Sequence, residues 1–186
     1  CKKTKDLNEI LDVYETQLCN RIFRYQLNNK INIEIVFYVK TFAFIGFAAC
    51  LREKYLGINR YNKIKDKQLK RNDLKKHNKA EYNRIEIKLD HFDENFGMLK
   101  SGEFIKFYQY RTNPLSFIVA DFVIFQDKKE YILHLFLRQE NNGTNQYSPV
   151  SFIVKSANDK SRDQYILGQE YKKITDFEII ELKRNK

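Results

Sequence analysis

The sequence predicts a single α+β domain, in which helices from the N-terminal part pack on an antiparallel sheet from the C-terminal part. Three observations support this class. Apolar residues recur at helical spacing in residues 6–79, whereas in residues 82–183 they alternate with polar residues, which is the period of a strand. The 186 residues, 42% of them hydrophobic, are enough to bury one core. We therefore expect one domain over residues 6–186.

The helical part begins with the clearest signal. Asp6 and Glu9 have the spacing of a capping box, and seven apolar residues then follow at helical intervals. These are Leu7, Ile10, Leu11, Tyr14, Leu18, Ile22 and Tyr25. The range Ile31–Leu56 is the most apolar of the chain and predicts a buried helix that ends near Gly57, although its β-branched start also fits a strand. The basic stretch that follows predicts a third helix.

The β-rich part begins where Ile85, Ile87 and Leu89 alternate with charged residues, which predicts a strand with one wet face. Five further strands are predicted at Phe104–Arg111, Leu115–Phe125, Tyr131–Arg138, Val150–Lys155 and Ile174–Leu182. Short polar stretches separate them and favour hairpins. The expected result is a meandering sheet of the general shape seen in cystatin-like or NTF2-like domains, a likeness that concerns shape and carries no function.

One predicted hairpin brings an acid and a base together. A turn of two residues at Asp127-Lys128, or of four residues centred there, places Asp121 opposite His134. Directly opposed residues on an antiparallel pair have Cβ atoms about 5 Å apart, close enough for a charge-assisted hydrogen bond. The pair is either a buried ion pair that satisfies itself or an Asp-oriented His that acts as a general base.

The net charge of +10 is concentrated in one segment. Residues 52–79 hold eleven Lys and Arg against three acidic residues, whereas residues 80–186 hold sixteen of each sign. Such a block is either a solvated helix surface or a binding face for an acidic protein, anionic lipid headgroups or a phosphate backbone. The candidate partner-binding residues are Arg60, Lys63, Lys67, Lys70, Arg71, Lys75 and Lys76.

Metal and cofactor sites are not predicted. The three Cys residues lack zinc-ligand spacing, and glycine-rich phosphate loops are absent from the sequence. Cys19 and Cys50 are either small buried residues or a disulfide pair. Glu86-x-Lys88 on a strand resembles half of the ExK pattern of metal-dependent nucleases, but the Asp that this pattern requires on a preceding strand is missing.

The chain begins at Cys1, followed by a short polar and basic stretch. These few residues resemble the start of a mature bacterial lipoprotein, in which acyl chains on the cysteine hold a domain to a membrane. The resemblance implies lipidation of Cys1, residues 1–5 as a tether, and a location on the periplasmic or surface side of a bacterial envelope. It covers only the first six residues.

We therefore expect a non-enzymatic, membrane-tethered module that binds a protein partner, as an immunity-type inhibitor or as an accessory subunit of an envelope complex. One alternative is an intracellular nucleic-acid-binding domain that uses residues 52–79 and the predicted strand Phe104–Arg111, which combines aromatic and basic residues as single-strand-binding sheets do. A second alternative is a small hydrolase built on Asp121 and His134.

Overall fold

A computed structural model of the chain describes residues 4–39, 41–42, 57–156 and 163–182. In chain order its helices are α1 (Leu7–Val13), which continues as a π-helical turn (Tyr14–Leu18), α2 (Gly57–Lys65), α3 (Arg71–His77), α4 (Lys79–Asp90) and α5 (Asn95–Ser101). Short 3-10 turns lie at Phe92–Glu94 and Gln109–Arg111. The strands are β1 (Arg21–Leu27), β2 (Ile31–Val36), β3 (Glu103–Lys106), β4 (Phe122–Asp127), β5 (Tyr131–Gln139), β6 (Gln146–Ser156), β7 (Glu170–Lys172) and β8 (Ile174–Glu181).

The eight strands form one sheet in the order β7-β3-β4-β5-β6-β2-β1-β8. Neighbouring strands are antiparallel except β2 and β6, which are parallel. The two edge strands, β7 and β8, are separated in the chain by Lys173 alone, so the sheet must curl until its edges meet. The ring of Tyr25 on β1 accordingly lies 4.7 Å from that of Phe104 on β3. The sheet is barrel-like, and the α+β class is confirmed.

The sheet carries an apolar cluster on each face. The main core lies between the sheet and the helices, and it includes Leu7, Leu89 and Phe152. A second cluster occupies the opposite face and consists of Ile105, Phe107, Val123, Phe125, Ile132 and Phe136. Side chains of Ile118, Ala120, Tyr165 and Ile166 pack on this second cluster and cover it. Both faces of the central strands are therefore covered by side chains of the described residues.

The first helix is shorter than predicted. Asp6 and Glu9 form the expected capping box, but helical structure ends at Leu18 and the chain turns at Asn20, which has a positive φ of 61°. Ile22 and Tyr25, predicted on the helix, lie in β1. The buried residues of β1 are Phe23, Tyr25 and Leu27, which have the period of two of a strand, whereas Ile22 points to the other face. The aromatic and branched residues of β1 also favour a strand.

The strand alternative was right for the apolar range that follows. Ile31–Val36 is β2, whereas residues 40 and 43–56, where the buried helix was predicted, lie outside the described residues. The predicted strand near Ile85 is wrong, because this stretch lies in α4. Tyr82, Ile85 and Leu89 are buried at helical spacing, and the side chain of Asn78 caps the helix by accepting from the N–H of Glu81 at 3.1 Å. The basic segment is helical as predicted, in two helices.

The strands at β5, β6 and β8 agree with prediction, but two others are shorter. Pairing in β3 stops at Lys106, and the predicted strand over Leu115–Phe125 enters the sheet only at Phe122. Helices are thus found before and between strands rather than only at the N-terminus. In the part of the chain that the structure describes, no helix has the length and apolarity needed to span a membrane.

Candidate active site

The predicted pairing of Asp121 with His134 is wrong. β4 and β5 form an antiparallel hairpin, but its register places His134 opposite Phe125. The backbone N–H of Asp121 donates instead to the carbonyl of Leu137 at 2.8 Å. The reason is that Asp127, which the sequence assigned to the turn, pairs with Ile132 in the ladder. The turn therefore begins only after Lys128. Asp121 and His134 are therefore about four residues apart along the hairpin.

The acidic partner of His134 is Asp163. The Nε2 atom of His134 lies 2.8 Å from Oδ2 of Asp163, and the two residues are only 0% and 2% exposed. The Nζ atom of Lys155 lies 3.8 Å from the other carboxylate oxygen, which accepts a hydrogen bond from the N–H of Tyr165 at 2.9 Å. Sequence reasoning missed Asp163 because it lies in a polar stretch with no strand period.

The contact between His134 and Asp163 is short and fully enclosed. Although the distance is short, neither atom makes a well-aligned hydrogen bond with a described residue. Burial alone would raise the pKa of the Asp163 carboxyl, but the neighbouring His134, the Tyr165 N–H and Lys155 together favour the charged form, and the pKa lies below its ordinary value. Because both side chains are enclosed, a substrate has no access to His134 in this arrangement.

A cavity of about 520 Å³ opens at the C-terminal end of β5, and we call it the Arg138 cavity. It is lined by Val119, Ala120, Asp121, Arg138, Gln139, Glu140, Asn142, Ser148 and Val150. Arg138 is exposed and stands opposite Ser148 of β6 in the ladder. Among the described residues, none holds the Arg138 guanidinium in an ion pair or hydrogen bond. A free guanidinium beside a concave surface is well suited to bind a phosphate through two parallel hydrogen bonds.

A carboxylate is held in place beside this guanidinium. The Oδ2 atom of Asp121 accepts a hydrogen bond of 2.8 Å from the backbone N–H of Gln139. Its Oδ1 atom lies 4.0 Å from Nζ of Lys106, which extends over the ring of Phe122 at 4.6 Å. Burial, and secondarily the charge of Asp121, raise the pKa of the nearby Tyr147 hydroxyl. The cavity is lined by one cation, Arg138, and by two carboxylates, Asp121 and Glu140, whereas Lys106 lies beside Asp121 and is not part of the lining. A cation next to an oriented carboxylate suits acid–base chemistry on an anionic group.

A second polar cluster lies at the opposite end of β5. The Oε1 atom of Glu94 is 2.7 Å from Nδ1 of His91, and both Glu94 oxygens lie 2.7 Å from the hydroxyl of Tyr131. Burial, followed by the interaction with Glu94, raises the pKa of the Tyr131 hydroxyl. Burial also lowers the pKa of Lys88, one helical turn before His91. Tyr131 and Arg138 are seven residues apart on one strand, about 23 Å, so this cluster is separate from the cavity.

The other predicted site residues are scattered. Of the seven basic candidates, Arg60 and Arg71 are buried, Lys63 is half-buried, and Lys67, Lys70, Lys75 and Lys76 are exposed. Arg71 is held by the Tyr82 hydroxyl at 2.5 Å and by Asp90 at 2.8 Å, so it acts within the fold. A binding role for the exposed lysines stays a prediction.

The remaining predictions concern cysteines and metals. Cys1 and Cys50 lie outside the described residues, so lipidation of Cys1 and a disulfide between Cys19 and Cys50 stay predictions; Cys19 itself is buried. Glu86 and Lys88 lie on α4 rather than on a strand, which removes their likeness to the ExK pattern. Within residues 4–39, 41–42, 57–156 and 163–182, no group of three or more His, Cys, Asp or Glu side chains could hold a metal ion.

Comparison with known proteins identifies the class of the chain. One family model, described as phage-Barnase-EndoU-ColicinE5/D-RelE like nuclease4 (PBECR4), matches residues 6–186. No curated protein and no solved structure matches the chain. The prediction of a non-enzymatic protein-binding module is therefore wrong, and the nucleic-acid alternative agrees better with the match. The predicted membrane anchor and envelope location are not tested by the match and stay predictions. Because the matched residues span nearly the whole chain, the protein belongs to the phage-Barnase-EndoU-ColicinE5/D-RelE like nuclease4 family.

Proposed function

We propose that this protein is a nuclease that cleaves phosphodiester bonds of nucleic acid in the Arg138 cavity. Two lines of support meet there. The family is described by nuclease likeness over residues 6–186, and the cavity holds a guanidinium free to bind a phosphate. The observation that carries the proposal is the position of Arg138, which lines the same 520 Å³ cavity as the oriented carboxylate of Asp121.

Each residue has a distinct role in the proposed reaction. Arg138 binds the non-bridging oxygens of the scissile phosphate and stabilises the charge that grows on them as the new bond forms. Lys106, whose Nζ lies 4.0 Å from Asp121, supplies a second positive charge. Asp121 accepts the proton of the attacking oxygen as its bond to phosphorus forms, and the bond from phosphorus to the leaving oxygen breaks. The leaving oxygen takes its proton from solvent.

The competing cluster of His91, Glu94 and Tyr131 is less suited to this role. Glu94 already satisfies both the histidine ring and the tyrosine hydroxyl, which is the arrangement of a structural ion-pair network. The Arg138 guanidinium, by contrast, is held by no ion pair or hydrogen bond among the described residues, so its donors are available to a phosphate. We therefore place the reaction at the cavity.

The test uses end-labelled RNA and DNA strands of one sequence, each as single strands and as duplexes, with cleavage followed on denaturing gels. Arg138→Ala is expected to slow cleavage by about 10²- to 10³-fold, the usual effect of removing one charge-stabilising donor. Asp121→Asn is expected to slow it by about 10²- to 10⁴-fold, as expected for a lost general base. The matched control is Arg84→Ala, since Arg84 is an exposed arginine on α4 that pairs only with Glu81 at 2.8 Å.

Two outcomes would overturn the proposal. The first is a wild-type protein that cleaves none of the four substrates. The second is Arg138→Ala protein that cleaves at the wild-type rate. A His91→Ala variant decides where the chemistry occurs, because loss of cleavage in His91→Ala with full activity in Arg138→Ala would move the reaction to the opposite end of β5.

A further inference from the structure

Exposed apolar side chains are concentrated in two segments, one of which reaches the Arg138 cavity at Val119. Six of the nine exposed large hydrophobic residues in the described part of the chain lie in residues 108–119 and 167–171, which are joined by a hydrogen bond from the Tyr108 N–H to the Gln169 side chain. They are Tyr110, Leu115, Phe117, Val119, Leu167 and Tyr171. Phe117 is 96% exposed, almost the maximum for a phenylalanine. A scattered exposed Leu or Tyr needs no explanation, but a grouped set that includes a fully exposed Phe marks an interaction surface.

The segment that carries Phe117 is held firmly. The Nε2 atom of Gln109 donates to the carbonyl of Ser116 at 2.6 Å, and the N–H of Ser116 donates to Oγ1 of Thr112 at 2.6 Å. Ile118 packs on the second apolar cluster. Because Ser116 and Ile118 are both held in place, the backbone between them directs the Phe117 ring into solvent.

A cation stacks on the aromatic residues of the same segment. The guanidinium carbon of Arg111 lies 4.2 Å from the ring centroid of Tyr108 and 5.6 Å from that of Tyr110. We call Tyr108, Tyr110, Arg111 and Phe117 the aromatic ridge. Lys106 and Arg111 are the charged residues of the range 104–120, so the ridge and its surroundings in sequence are cationic.

The aromatic ridge meets the cavity at Phe117, two residues from Val119. Exposed and inward-facing residues alternate from Leu115 to Ala120, which puts Phe117 and Val119 on the same side of the segment. Residues two apart in an extended chain are about 7 Å apart. Val119 itself lines the Arg138 cavity. A nucleic-acid chain that has one phosphate at Arg138 and extends past Val119 therefore reaches the Phe117 ring.

We propose that the aromatic ridge binds unpaired bases of a single-stranded nucleic acid whose backbone lies in the Arg138 cavity. Aromatic rings that stack on bases, next to cations that bind the backbone, are the two elements of single-strand recognition. The bases of a duplex are stacked on each other and leave no face for Phe117, so the preferred substrate is single-stranded. This inference rests on the proposed nuclease function and names its substrate class.

The experiment measures binding separately from cleavage. Fluorescence anisotropy follows a labelled 12-nucleotide single strand, and the duplex of the same sequence, with Asp121→Asn protein, in which the proposed reaction is slowed. Adding Phe117→Ala is expected to weaken binding of the single strand about 5- to 150-fold, the range for loss of one stacked base. Adding Phe117→Tyr is expected to preserve binding because the ring is retained. Binding of the duplex is expected to be weaker than that of the single strand and unchanged by Phe117→Ala.

The control and the readouts keep the two proposals apart. Ile58→Ala removes another exposed hydrophobic side chain, on α2, and is expected to change nothing. In cleavage assays Phe117→Ala is expected to raise KM and to leave kcat nearly unchanged. Single-strand binding that is identical with and without Phe117 would overturn this inference while leaving the nuclease proposal intact. Phe117-dependent binding without any cleavage would support the inference and overturn the nuclease proposal. Self-association that disappears in Phe117→Ala, without nucleic-acid binding, would identify the ridge as a protein interface instead.

Discussion

Replacing Asp163 by alanine is expected to destabilise the protein by about 3–5 kcal/mol, the usual cost of removing one member of a buried ion pair. His134 is 0% exposed, and its Nε2 atom lies 2.8 Å from the Asp163 carboxylate. The substitution leaves this ring buried without its acid and removes the acceptor of the Tyr165 N–H. Lys155 limits the loss, because its half-buried ammonium reaches solvent.

Urea unfolding at pH 7, followed by circular dichroism, measures this loss. Asp163→Asn is the matched control, because its amide oxygen still accepts the Tyr165 N–H; it is expected to recover about 1 kcal/mol of the loss. The double variant Asp163→Leu with His134→Phe is expected to be more stable than Asp163→Ala, since neither polar group is then buried alone. An Asp163→Ala protein within about 1 kcal/mol of the wild type would refute the reasoning.

The pH dependence of stability has a definite sign. The pKa of Asp163 is lowered in the folded protein, so the unfolded chain binds a proton more readily at acidic pH. The stabilisation from this group is complete above the unfolded-state pKa of about 3.9 and is lost as the pH falls through the lower folded-state pKa. The stability difference between wild type and Asp163→Ala is therefore expected to shrink below about pH 4.

Two further predictions concern the close packing at Gly102 and the buried side chain of Arg71. Gly102→Ala is expected to destabilise the protein by about 1–3 kcal/mol, because the new Cβ would lie 2.6 Å from both Cγ2 of Ile124 and the carbonyl oxygen of Met98. Gly97→Ala, in α5 with no atom within 4 Å of the new Cβ, is expected to stabilise it by about 0.5–1 kcal/mol; thermal unfolding compares the two, and equal effects would contradict the packing argument. Arg71→Ala is expected to cost about 2–4 kcal/mol in urea unfolding, since Tyr82 and Asp90 lose a buried partner. The exposed Lys76→Ala is expected to change stability by less than about 0.5 kcal/mol, and a comparable loss in both variants would contradict a special role for Arg71.

The fold class could be predicted although some helix and strand boundaries were wrong, because the class depends on the buried residues of many elements together. The capping box at Asp6, the continuous apolar run of β5, which is buried on both faces, and the alternation in β8 each reflect one element and its own burial. Where a pattern fits two periods, the sequence does not decide. Ile85, Ile87 and Leu89 alternate as in a strand, but Tyr82, Ile85 and Leu89 also recur as in a helix, and packing on β6 favours the helix.

The candidate site depended on information that no local pattern holds. A shift in the position of one turn moved Asp121 away from His134, because every pairing in a hairpin follows from its turn. Arg138 was predicted only as the last residue of a strand. Its importance comes from the cavity that Asp121, Glu140 and Ser148 form around it, and these residues come from three places in the chain. The exposure of Phe117 was missed because its neighbours made it part of an apolar strand.

The junction between β7 and β8 has a consequence for folding and for aggregation. Asn28, in the β1–β2 turn, donates its N–H to the carbonyl of Lys173 at 2.8 Å and accepts the Lys173 N–H at 2.9 Å through its side chain. This joint fixes the start of β8, which then pairs along β1 and covers the outer side of that strand. The protection comes late, because β1 must wait for β8, about 150 residues further on, before its outer side is paired. Until then the growing chain presents an unpaired strand, so folding should be slow and most prone to aggregation just before synthesis of β8 is complete.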